Sequence, residues 1–293
     1  MNKSVVYFTK EINPESLVKI YKALGVHLSP SIGIKISTGE MGGNNYLHPE
    51  LIGKLVDELN GTIVECCTAY GGSREAIADH WNTIKAHGFA PRFPVVLMDE
   101  KGTKDLPVYH GFHLSMDRVG TSIDDFSSFL VLNHFKGHAM GGFGGALKNI
   151  SIGFASTLGK LNIHSAGTSL DQDYTWSHLP KQDDFLESMA DACQAVIHYV
   201  GERNMAYVSV ANRLSVDCDC DSRPAEPEMG DIGIFASLDP VAIDQACYDA
   251  VVNSSDPGKK ALIERMDSRH ATHILEAAEK LGLGTREYEL KII

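Results

Sequence analysis

FLVLNHFKGHAMGGFGGALKN, residues 129–149, decides the fold class. Phe129 to Leu132 is apolar at every position, as a central strand covered on both faces must be. Gly137, Gly141, Gly142, Gly144 and Gly145 follow, before a helix-like stretch from Ala146 to Ile152. In open α/β sheets ligands sit at the carboxyl ends of strands, where such a turn lies. Glycine amides approach an anion closely, and a following helix N-terminus favours negative charge. Two histidines, His134 and His138, and two lysines, Lys136 and Lys148, frame the glycines. Asn149 follows Lys148, so the GxxxxGK[ST] phosphate loop of a nucleoside triphosphatase is absent.

Outward from this stretch, strands alternate with helices. Val5–Phe8, Ser31–Ile36, Thr62–Glu65 and Pro94–Met98 read as strands. Helices are predicted from Pro14 to Leu24, from Pro49 to Gly61, and from a Ser73 cap to about Ala86. Residues 165–184 are polar and aperiodic, which predicts a surface loop. Phe185–Tyr199 is amphipathic. Ala206–Val210 and Asp231–Ala236 read as strands, Pro240–Val252 as a helix capped by Asp239, and 261–266 and 272–281 as the last helices. The pattern predicts an α/β fold, a mixed or mostly parallel sheet flanked by helices, with two lobes around one cleft. The expected division is 1–178, carrying the glycine motif, and 179–293, carrying Asp-Cys-Asp-Cys-Asp.

Composition narrows the function. The 293 residues are 43% hydrophobic and 22% charged, which excludes a disordered chain, a collagen or a coiled coil. Asp plus Glu outnumber Lys plus Arg 38 to 26, and the net charge of -12 repels nucleic acid and anionic membranes. No run is long enough for a membrane helix. MNKSVVYFTKEINPES holds no signal-peptide core, so a cytoplasmic location is expected. The partner expected is a small anionic ligand; an oligomer stays open. The six cysteines are expected to be reduced, and no CxxC spacing occurs.

Three further clusters carry chemistry. Asp217-Cys218-Asp219-Cys220-Asp221 puts its thiols on one side of an extended segment and its aspartates on the other. Cys218 and Cys220 are either ligands for a soft metal or structural thiols in a turn. Glu40, in GEMGG, sits at a strand-to-helix mouth as a base, a metal ligand or a solvated acid. Ser73 and Arg74 follow Gly71-Gly72 and suit a phosphate or carboxylate. His134 is a second metal ligand or a capping group.

HFKGHAMGGFGGALKNISIG and GKLNIHSAG, with KISTGEMGGNNYLHPEL (35–51), TAYGGSREAIADHW (68–81) and VDCDCDSRPAEPEMGDIGIFASLDPVAIDQA (216–246), resemble the iron–sulfur-centre protein family, domain of unknown function three-six-two. The resemblance runs over nearly the whole chain. Many members carry a ferredoxin insertion after the HSAG-like segment. SLDQDYTWSHLPKQDD stands there without a cysteine, so ferredoxin-type clusters are not expected. The glycine segment is also distantly similar to that of the nickel-pincer lactate racemases. In them a lysine tethers the pincer cofactor, a histidine ten residues earlier transfers a proton, and one sixteen residues later ligates nickel. His138 lies ten residues before Lys148 and His164 sixteen after it. The resemblance implies a proton-transfer role for His138, anchoring by Lys148 and ligation by His164. The racemases' substrate arginine and second proton-transfer histidine have no counterpart in 37–43 or 66–74, so lactate racemisation is not implied.

These readings predict a metal- or organometal-dependent enzyme, isomerase-like or redox, acting on a small anionic metabolite. Catalysis is expected from His138, Lys148 and Glu40. Cofactor binding is expected from Gly141, Gly142, Gly144, Gly145, Lys148, Arg74 and Ser73. His164, His134, Cys218 and Cys220 are the candidate metal ligands, for nickel, zinc, iron or a nickel-pincer-like group. The alternative is a non-catalytic metal or iron–sulfur carrier.

Overall fold

The structure, a computed structural model, describes residues 3–293. Its first half alternates as expected: β1 (Ser4–Thr9), α1 (Pro14–Ala23), β2 (Ile32–Lys35), α2 (Pro49–Leu59), β3 (Thr62–Glu65), α3 (Ile77–Ala86), α4 (Phe89–Arg92) and β4 (Val95–Leu97). The Asn13 side chain caps α1 at the Ser16 amide, with Pro14 at the first helical position. Asn60, in the left-handed region at φ 45°, ends α2.

An antiparallel pair follows, β5 (Thr103–Pro107) and β6 (Met116–Gly120), which the sequence did not announce. Then come β7 (Ser128–His134), the short pair β8 (Lys136–His138) and β9 (Gly142–Gly144), α5 (Ala146–Phe154) and α6 (Thr157–His164). The polar segment expected to be a loop holds a short helix, α7 (Gln172–Ser177), capped by Asp171. The chain continues through α8 (Gln182–Val200), β10 (Met205–Ala211), β11 (Gly233–Ser237), α9 (Pro240–Val252), α10 (Lys259–Ser268), α11 (His273–Lys280) and β12 (Tyr288–Ile292). Asp239 caps α9 as expected, accepting the Val241 and Ala242 amides.

Eight strands make one sheet in the order β12-β1-β11-β10-β7-β2-β3-β4. Only β11 runs antiparallel to its neighbours, β1 and β10. The division expected at 178/179 falls just after α7, and strands from both sides of it, β7 and β10, are hydrogen-bonded neighbours. Alternation along β7 sends its side chains to opposite faces. Phe129 and Val131 join a core with Ile150 of α5 and Val196 of α8. Leu130 and Leu132 join another with Leu17 and Ile20 of α1 and Ile52 of α2. All four are fully buried, each contributing roughly 1.5–3 kcal/mol by leaving water. Among the described residues no helix is long and apolar enough to cross a membrane.

Strands β2, β3, β7 and β10 are mutually parallel, so their carboxyl ends share one edge. That edge delivers residues 36–40, 66–74, 135–138 and 212–221 to one place.

Candidate functional site

At this edge lies a cavity of about 70 Å³ lined by Lys35, Glu65, Thr68, Arg74, His138, Lys148, Lys160, His164 and Trp176, among others. His138, Lys148 and His164, far apart on β8, α5 and α6, therefore face one space. A wider hollow of about 460 Å³ adjoins it and shares Tyr70 and Cys220.

The two histidines present opposite chemistry. His138 Nδ1 accepts the amides of Gly141 at 2.8 Å and Met140 at 3.2 Å. A neutral ring held this way carries its proton on Nε2 and is a donor there. His164 Nδ1 lies 2.7 Å from the Lys160 carbonyl oxygen. It must donate to that oxygen, which leaves Nε2 with a bare lone pair. Burial holds His138 well below the ordinary histidine value, with Lys148 adding to the effect. Burial also pulls His164 down to about 4, against the Lys160 carbonyl bond and with the help of Lys148.

The cations differ in how they are held. Lys35 Nζ donates to the Ile36 carbonyl and to Asn149 Oδ1, and burial pulls it down to about 8, opposed by Glu65. Lys160 Nζ donates to the Ala155 carbonyl. Lys148 Nζ has no hydrogen bond or ion pair among the described residues. Burial, then the charge of Lys136, pulls it down to about 7, with Asp219 opposing.

Arg74 is fully engaged inside the protein. It donates to Glu65 at 2.8 Å, to Glu40 and Ser37 at 3.3 Å, and to Tyr70 at 3.2 Å. Burial works against its charge, but Tyr70, Glu65 and Glu40 outweigh it and raise its pKa. Glu65 in turn accepts from Thr38, Arg74 and His80. Burial opposes its charge too, yet Arg74 and His80 hold it below the usual carboxylate range.

Several expected roles are corrected by this geometry. Glu40 is no free base: its carboxylate accepts from the Ser73 amide, the Ser73 hydroxyl and Arg74. The anion expected at Gly71–Arg74 is thus Glu40 itself, and Ser73 caps no helix; α3 begins at Ile77. The glycine run likewise cradles an internal anion. Asp244 of α9 accepts the Ala146 amide at 2.6 Å and the Leu147 amide at 2.9 Å, filling the N-terminus of α5. A Cβ on Gly145 would lie 2.3 Å from Asp244 Oδ1, so only glycine leaves room for this carboxylate. Burial pushes Asp244 up to about 7 despite the two amides. Gly141 orients His138 through its amide, while Gly142 and Gly144 form β9.

His134 is not free to ligate a metal either. Asp219 Oδ1 lies 2.8 Å from its Nδ1 and the Asn212 carbonyl 2.6 Å from its Nε2. Asp219 also pairs with Lys136 at 2.8 Å. Burial opposes its charge, but Lys136 and His134 hold it well below the usual range. The segment is a turn rather than the extended run expected, closed by the Asp221 amide donating to the Cys218 carbonyl at 3.0 Å; Asp219 points inward to these cations, while Asp217 and Asp221 bond elsewhere. Cys218 and Cys220 are joined in a disulfide rather than reduced. Cys66, Cys67, Cys193 and Cys247 are free and buried. His138, Cys218 and Cys220 are close enough together to hold an ion if the disulfide opens; His164 belongs to no such group of three among the described residues.

Sequence reasoning missed Lys35, Glu65, Thr68, Asn149, Lys160 and Trp176. Two carried a signal. Lys35 is a charge inside the otherwise apolar SIGIKI, and Glu65 ends the apolar TIVE. A charge inside a strand buried on both faces needs partners. Thr68 Oγ1 is buried in the cavity wall without a hydrogen-bond partner.

The family model described as Domain of unknown function (DUF362) matches residues 32–249. No curated protein matches the sequence. Among solved structures, the lactate racemase apoprotein from Thermoanaerobacterium thermosaccharolyticum is 12% identical, with a TM-score of 0.47, over 85% of this chain and 57% of that one. A Thermotoga maritima protein is 13% identical, with a TM-score of 0.49, over 83% and 59%. The chain thus spans under two thirds of the length of either. The matched segment runs from β2 into α9 and includes His138, Lys148, His164 and the Cys218–Cys220 loop; the chain belongs to the DUF362 family.

Proposed function

We propose that this protein is an isomerase-like enzyme that binds a small anionic metabolite in the Lys148 cavity and moves a proton on it. One observation carries the reading: an unpaired amine at about 7, a bare imidazole lone pair and an imidazole N–H border the same small space. A base works best when its pKa lies near the working pH, which suits Lys148. His164 Nε2 is the second acceptor. His138 Nε2–H polarises an oxygen on the substrate. Lys35 and Lys160 offset the substrate's negative charge, and Glu65 with Arg74 keeps the wall rigid.

The nickel-pincer group implied by the racemase resemblance does not fit within the Lys148 cavity by itself. The Lys148 cavity alone, about 70 Å³, is far below the roughly 300 Å³ of even a small organic-ligand pocket, so a group of that size would have to extend into the adjoining hollow of about 460 Å³. Asp244 also occupies the helix N-terminus that a cofactor phosphate would use. The proton chemistry of this reading is carried by the chain's own groups.

The test is deuterium exchange at the α-carbon of small 2-hydroxy and 2-oxo acids in heavy water, followed by NMR. At least one acid should exchange with the native protein. Lys148→Met and His164→Ala should each slow it by roughly 10²–10⁴-fold, the usual size of a lost acid or base. No exchange across the panel, together with no rise in melting temperature from any of these acids, would refute the reading.

A second reading, a metal carrier, is favoured by the closeness of His138, Cys218 and Cys220. Cys218 Sγ already accepts the Cys220 amide at 3.3 Å, a contact suited to a metal-bound thiolate. Zinc or iron retained after reduction, without any exchange activity, would favour it.

A further inference from the structure

Away from this cavity, three histidines and four carboxylates meet where the β5–β6 connection, the first turns of α8 and the α10–α11 junction come together. His113 Nε2 lies 2.7 Å from Glu187 Oε2 and 3.9 Å from Asp184 Oδ1. His273 Nε2 lies 3.0 Å from the other oxygen of Glu187, and its Nδ1 3.6 Å from Glu276. His270 Nδ1 lies 2.7 Å from Asp183 Oδ1, and the His270 and His273 rings stack with centroids 5.1 Å apart. Two groups of donors are each close enough to hold an ion: His113, Asp184 and Glu187, and Asp183, His270 and His273.

From these placements we propose that the cluster binds a pair of zinc-class divalent ions, one in each group, with the Glu187 carboxylate between them. Neutral imidazole and carboxylate together suit zinc and its neighbours better than magnesium or calcium, which prefer oxygen alone. The two oxygens of Glu187 already face different histidines, as a carboxylate shared by two ions requires.

The cluster is held in place before any ion arrives. The fully buried carboxylate of Asp191, one turn further along α8, accepts the amides of Phe112 and His113 at 2.8 Å and of Leu114 at 2.9 Å. Three bonds to one carboxylate pin the loop that presents His113. His270 sits in the left-handed region at φ 48°, and its carbonyl accepts the His273 amide at 2.9 Å. That turn sets the spacing of the two stacked rings. No large search of loop conformations therefore opposes binding. Ions at these positions tie the β5–β6 connection and the α10–α11 junction to α8, so their effect is structural and independent of the proton chemistry proposed above.

The experiment is titration of the full-length, chelator-stripped protein with zinc chloride by calorimetry, without reductant so that Cys218 and Cys220 stay joined. Cobalt(II) is used in parallel, because thiolate ligation adds an intense near-ultraviolet band that nitrogen and oxygen ligands do not. Two equivalents should bind, the melting temperature should rise, and cobalt should show no thiolate band. His113→Ala should remove one equivalent, His270→Ala the other, and Glu187→Gln should weaken both at least tenfold. The His113 and His270 side chains reach solvent, 25% and 55% exposed, and His113→Gln and His270→Asn serve as milder replacements if the alanine variants lose the fold. Absence of zinc binding, a stoichiometry unchanged by both histidine variants, or a thiolate band from the first equivalent would each overturn the proposal.

Discussion

Replacing Lys148 by methionine should make the protein more stable and less able to bind an anion. An ordinary lysine titrates at 10.5, whereas burial and the charge of Lys136 pull Lys148 to about 7. Each pH unit between those values corresponds to about 1.4 kcal/mol, so the full penalty for holding the charge is on the order of 5 kcal/mol. The side chain is only partly buried, and solvent screening reduces this to about 2–3 kcal/mol. The sign follows from proton binding. Between about 7 and 10.5 the unfolded chain keeps the proton that the native state has lost, so native stability rises with pH across that window. Below about 7 the native state carries the whole penalty. Lys148→Met keeps the apolar stem and removes the charge. At about pH 6 the variant should gain roughly 2–3 kcal/mol, or about 5 °C in Tm for a chain of this size. The gain should shrink as pH rises and vanish near 10.5, where both proteins are uncharged at this position. The same variant should bind sulfate or a small carboxylate about 10–150-fold more weakly, the loss of one charge-assisted contact worth about 1.5–3 kcal/mol. Thermal scans across pH, with and without millimolar anion, read both effects. An equal or lower Tm at about pH 6, or a gain that grows with pH, would refute the argument that this amine is a strained, unpaired cation.

Asp244→Ala should cost about 2–5 kcal/mol in urea denaturation, because it strands the Ala146 and Leu147 amides at the buried start of α5; a loss under about 1 kcal/mol would show that those amides find another partner. Glu40→Gln should destabilise by about 3–5 kcal/mol, as expected when a buried ion pair with Arg74 is broken. Any proton exchange should persist in the Glu40→Gln protein that remains folded; its complete loss there would restore Glu40 as a catalytic group. Alkylation of native protein after mild reduction should label Cys220 first, since Cys218 and the four free cysteines are buried and Cys220 is only partly so. Labelling at Cys66 or Cys67 in preference would contradict that assignment.

Periodicity and punctuation were enough for the parallel half of the sheet. FLVL, TIVE and SIGIKI are apolar runs closed by glycine, proline or cap residues, and each became a buried strand. The β5–β6 pair and β12 were not legible. TKDLP and MDRVG carry adjacent charges and YELKI two charges one residue apart, with no apolar run in any of them, and they are strands only because a neighbour supplies the ladder. At the site, the spacing of His138, Lys148 and His164 around the glycines was visible in one dimension. What the glycines accommodate was not. The carboxylate that fills their turn is Asp244, 98 residues from Ala146 in sequence. The difference between a donor ring at His138 and an acceptor ring at His164 depends on the Gly141 amide and the Lys160 carbonyl, which no composition or motif encodes.

The distribution of charge explains why one cation stands apart. In a chain of net charge -12, acids outnumber bases 38 to 26. The two places where glycine and helix geometry favour an anion are each filled from within, by Glu40 at the Ser73–Arg74 turn and by Asp244 at α5. Arg74 is satisfied by two carboxylates, and Lys136 by Asp219. Lys148 lies close enough to Lys136 and Asp219 for both to shift its pKa, yet pairs with neither. Drift toward greater stability would pair that amine or replace it with an apolar side chain, since either change removes the cost of an unpaired charge. An arrangement that satisfies every neighbouring cation and leaves this one facing two differently protonated imidazoles is stable only at a loss. A ligand that brings its own negative charge recovers that loss, by stabilising the native state on binding.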